Sequence, residues 1–80
     1  MGYAFLQLSP EQRQVAQRIA RAAAEECAPD TCAIYPVLGT CIEDAVRKHW
    51  GGAIATFVPL LALRNVRCCI RSGTCDCGEC

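Results

Sequence analysis

Eight cysteines stand in a chain of 80 residues, and their spacing is its clearest chemical signal. Cys27, Cys32 and Cys41 lie in the first half or close to it, and Cys68, Cys69, Cys75, Cys77 and Cys80 crowd the last thirteen residues. The tail reads Cys-Cys, five residues, Cys-Asp-Cys, two residues, Cys. Thiolates this close in sequence converge readily on one soft ion, because closing a short flexible loop costs little entropy. Zinc, Cu(I) and iron–sulfur clusters all take such ligands. Beyond Ile70 the chain has no apolar residue except Cys itself, so burial of carbon cannot order the tail. Sulfur chemistry must do it.

The competing chemistry is a set of disulfides, for which an even count of cysteines is suited. Either staple would serve a chain this small, whose core alone is marginal. A disulfide closing a 15-residue loop contributes about 3 kcal/mol, and a structural zinc roughly 10–16 kcal/mol. Compartment decides the expectation. The opening MGYAFLQLSP has no Lys or Arg ahead of its apolar residues and no long apolar run, so no secretory signal is visible. A cytoplasmic protein keeps its thiols reduced. The sequence therefore predicts a cytoplasmic protein that binds zinc, copper or an iron–sulfur cluster through all eight cysteines, for storage, sensing or metal transfer. The alternative is a non-enzymatic interaction module stapled by disulfides.

Other chemistries find little support. His49 is the only histidine, and no nucleophile motif surrounds any Ser. Gly51-Gly52 reads as a helix stop rather than a phosphate loop. Cys77-Gly78-Glu79-Cys80 has the redox-motif spacing, but no helix follows it to lower a thiol pKa. No enzyme is expected. Eight basic residues balance eight acidic ones, and neither half of the chain is basic enough to argue for nucleic acid. The longest uncharged apolar stretch, Gly51 to Leu63, is thirteen residues, short of the roughly 20 needed to span a membrane.

Three helices must position the thiols. Ser9, Pro10 and Gln12 form a capping-box start with proline at the first helical position. The helix that follows runs to Glu26, with Val15, Ile19, Ala22, Ala23 and Cys27 as its apolar stripe. Thr40 with Glu43 suggests a second capping box and a helix that ends at Gly51-Gly52, with Ile42, Ala45, Val46 and Trp50 inward. Residues 31–39 read as an apolar connector. The third helix is expected from Thr56, as cap, to about Arg71. Phe57, Val58, Leu61, Leu63, Val66, Cys68, Cys69 and Ile70 cover most of its circumference. Arg64, Arg67 and Arg71 fill the remaining stripe, with Leu60 among them. So wide an apolar arc has more to bury than two neighbouring helices cover, so a homodimer through the third helix is expected. The arginine stripe suits an acidic protein partner.

The segment TFVPLLALRNVR, residues 56–67, resembles the last helix of the three-helix bundle dimerization domain of short actinobacterial proteins. The order of capped helix, Ala45-Val46 helix and Phe-Val-Pro helix extends the resemblance over residues 9–71. It implies a three-helix fold and pairing, and it does not account for the cysteines. The tail resembles metallothionein segments in its Cys-x-Cys and Cys-x-x-Cys spacing alone. The expected architecture is thus all-α: a small three-helix bundle over residues 1–71, and a Cys-rich irregular tail, 72–80, packed back upon it.

Overall fold

A computed structural model describes residues 5–28, 30–51 and 57–75. Three α-helices, α1 (Pro10–Glu26), α2 (Leu38–Trp50) and α3 (Val58–Ser72), pack on one another as an all-α bundle, with no strand among the described residues.

Helix α1 starts where its sequence signals it should. The Ser9 hydroxyl accepts from the Gln12 backbone N–H at 3.3 Å, and the Gln12 side chain accepts from Ser9 N–H at 3.0 Å. Both otherwise orphaned donors are thereby satisfied. Its buried face is Ala16, Ile19, Ala23 and Cys27, while Val15 and Ala22 are half-buried. The small residues at 16 and 23 allow close approach, which draws the stripe toward Ala16. Ahead of the helix, Phe5 and Leu8 are buried in the same core, although the sequence pattern does not single them out. Phe5 has a φ of 50°, in the left-handed region, and its carbonyl accepts from Leu8 N–H.

Helix α2 begins two residues before the expected cap. A 3-10 turn, Tyr35–Val37, leads directly into it, and Thr40 lies inside the helix rather than capping it. The early start follows from burial: Leu38, Cys41, Ile42, Ala45 and Val46 recur at helical spacing, and all are fully buried. Glu43 and Asp44 are consequently mid-helix, where both approach Arg47, at 3.2 and 3.7 Å. Helix α3 is entered from Phe57 without a side-chain cap, and the expected cap Thr56 lies outside the described residues. Pro59 sits in its first turn, where the missing N–H is harmless. Val58, Ala62, Asn65, Val66 and Cys69 form its buried face.

Contacts between side chains set the directions. Cys41 meets Cys75, and His49 meets Asn65, so α2 and α3 run antiparallel. Ile19 and Ala22 line one groove with Leu60 and Leu63, and Glu26 reaches Arg67, so α1 and α3 run parallel. None of the described helices is long and apolar enough to cross a membrane.

Candidate functional site

Five of the six described cysteines are in disulfides rather than gathered round one point. Cys27 is the residue that ends α1, its N–H donating to the Ala23 carbonyl at 2.9 Å. The Ala28 carbonyl then accepts from both Thr31 and Cys32 N–H, and this tight turn returns Cys32 beside Cys27. The two are bonded, with Cα atoms 5.2 Å apart. Cys27 is buried and Cys32 half-buried.

The second bridge depends on the end of α3. Gly73 adopts a φ of 78°, and its N–H closes the helix on the Cys69 carbonyl at 2.9 Å. The Ser72 hydroxyl donates to the same carbonyl at 3.2 Å. This left-handed stop reverses the chain. Cys75 thereby reaches Cys41 in the first turn of α2, across 34 positions of sequence, with Cα atoms 5.7 Å apart. Both Cα separations fall within the span of about 4.4–6.8 Å that a disulfide bridges.

Cys68 is half-buried and also disulfide-bonded. Cys69, its neighbour, is a buried thiol in the core cluster. Cys77 and Cys80 lie outside the described residues. Cys75 meets Cys41 rather than Cys68 or Cys69 of its own helix, because Gly73 turns the chain toward α2. Among the described residues no three His, Cys, Asp or Glu side chains come together as a metal site. In this oxidised arrangement the described sulfurs do not fit a common zinc, copper or iron–sulfur centre.

Two further features lie away from the bridges. His49 lies in the last turn of α2, half-buried, with Nε2 2.9 Å from Asn65 Nδ2 on α3. Asn65 is the one buried polar side chain among the described residues. A lone Asn within an apolar arc was the available sequence signal for it. Along the other side of α3, a groove of about 160 Å³ opens toward α1, lined by Arg18, Ile19, Ala22, Pro59, Leu60 and Leu63. Leu60 is 66% exposed and Phe57 53%. Farther along the same seam, Arg67 donates to Glu26 at 2.8 Å.

Fold and bridges together define a small helical bundle cross-linked by disulfides. Compared with known families, curated proteins and solved structures, the chain matches none.

Proposed function

We propose that this chain is a non-enzymatic interaction module, a three-helix scaffold stapled by disulfides that acts through contact with another protein surface. The observation that carries the reading is the Cys41–Cys75 bridge, which ties the segment after α3 to the start of α2. A bridge closing so long a loop contributes about 4 kcal/mol by restricting the unfolded chain, a large share of the stability of so small a domain. Such bridges persist in oxidising surroundings, so the reading places the protein in an oxidising compartment instead of the cytoplasm. The exposed apolar side of α3, with Phe57 and Leu60 outside the core, is the contact element.

The same cysteines in a fully reduced chain are the soft-metal ligand set, and one measurement separates the two readings. Purified protein is alkylated without reduction and analysed by intact mass, alongside elemental analysis. The stapled module shows fewer than eight adducts, linked peptides joining Cys27 to Cys32 and Cys41 to Cys75, and no stoichiometric metal. Eight adducts after chelation, with zinc, copper or iron bound beforehand, would replace this reading by the metal-binding one.

A further inference from the structure

We infer that the seam between α1 and α3 is a docking groove for an amphipathic helix with an acidic flank, supplied by a different protein. The inference rests on the reading of the chain as an interaction module and names the partner of that surface. The floor is apolar: Ile19, Ala22, Pro59 and Leu63 line it, and Leu60 stands at its edge, two-thirds exposed. From Pro59 to Arg71 the seam is about 18 Å long at 1.5 Å per residue, the length of roughly three helical turns. A helix laid along it would cover Leu60 with its own i, i+3, i+4 and i+7 side chains, the usual way a helix fills a groove.

Charge selects the partner. Along the two stretches of the seam, the charged side chains are Arg18, Arg67 and Arg71 against Glu26 alone. Glu26 is already engaged with Arg67. Arg64 adds a further exposed cation one turn beyond Leu60. Among the described residues, Arg18, Arg64 and Arg71 have no acidic partner within salt-bridge distance. A second copy of the chain presents this same excess of arginine and has no spare acid in its own groove. An acidic flank gives each cation a counter-charge as the apolar side chains are covered, and that complementarity sets both partner choice and encounter rate. An anionic membrane would satisfy the arginines too, but a flat lipid surface does not enter a groove between two helices.

The test uses the full oxidised chain, its disulfides verified by mass, labelled with ¹⁵N. The probes are two synthetic peptides of about four helical turns, with the same leucine stripe and either Glu or Lys on its flanks. The Glu peptide should shift the amides of Ile19, Ala22 and Leu63, and bind about tenfold tighter than the Lys peptide at low salt, as expected from a few exposed ion pairs. Salt should erase the difference. Arg18→Glu combined with Arg71→Glu should reverse the preference, and Leu60→Asp should abolish binding of both peptides. All three positions are exposed, and an unchanged far-UV spectrum confirms that each variant folds. Equal affinity for the two peptides, or shifts confined to another face, overturns the inference. Binding to phosphatidylserine vesicles in place of the Glu peptide overturns it in favour of lipid. A concentration-dependent dimer that Leu60→Asp dissolves makes a second copy the occupant: the interaction reading then stands and this inference falls. A monomer at every concentration that binds neither peptide nor vesicles removes both.

Discussion

A primary amide buried among apolar side chains must find its hydrogen bonds inside the bundle, and Asn65 finds one on His49. The pair joins the end of α2 to the middle of α3, so it also fixes how far one helix slides past the other. Asn65→Ala removes that bond and leaves a small void. It should cost about 1–3 kcal/mol, the range for losing a partnered buried polar group, read as a lower urea midpoint. An unchanged midpoint would mean the pair is structurally idle. His49 was legible from the sequence as a residue of a helix C-terminus, because Arg47, Lys48 and His49 precede Gly51. Its partner was not, because a contact between residues 16 apart depends on the angle at which two helices meet. The cysteines divide in the same way. Cys27 and Cys32 are near neighbours that a single turn brings together, whereas Cys41 and Cys75 meet only once α2 and α3 are antiparallel.

At the scale of the element, the stop of α3 matters most to the candidate site. Gly73 has a φ of 78°, yet a Cβ placed on it would meet nothing within 4 Å. Any penalty for a larger residue is therefore one of backbone conformation, not of space. Gly73→Ala should destabilise the protein by about 1 kcal/mol, and it should slow oxidative closure of Cys41 on Cys75 during refolding. Quenching with an alkylating agent at intervals, followed by peptide mapping, measures that rate. Closure as fast as in the parent chain would show that the turn does not guide the bridge. The start of α1 was readable because Ser9 and Gln12 act within four residues. The start of α2 was misread for the complementary reason. Thr40 and Glu43 mimic a capping box, but burial of Leu38 outweighs a cap worth about 1 kcal/mol.

For the whole molecule, the two described bridges should contribute unequally. Cys27–Cys32 closes a loop with a separation of 5, and Cys41–Cys75 one of 34. Restriction of the unfolded chain gives about 2 kcal/mol for the first and about 4 kcal/mol for the second. Replacing Cys41 and Cys75 by Ser should therefore lower the thermal midpoint well below that of the Cys27→Ser, Cys32→Ser variant. Calorimetry of the two double variants decides it, and equal midpoints would refute the loop-length argument. Self-association belongs to this scale too. The wide apolar arc of α3 is largely taken up within one chain: Val58, Ala62, Val66 and Cys69 are buried, and Leu61, Leu63 and Ile70 half-buried. Phe57 and Leu60 remain outside, so a partner has a narrow apolar strip to cover rather than half a helix.

Local information in the sequence was sufficient for what acts over a few residues: the helical class, the cap on α1 and the end of α3 near Arg71. Capping bonds and helical periodicity operate within one or two turns, so they can be read along the chain. Tertiary structure decided which thiols become neighbours, which flank of α3 stays uncovered and how Asn65 is satisfied. Each of these depends on the relative placement of whole helices. That placement comes from packing Leu38, Ile42, Val46, Ala62 and Val66 into a common core, and the residues of that core contact one another across distances that no local pattern records.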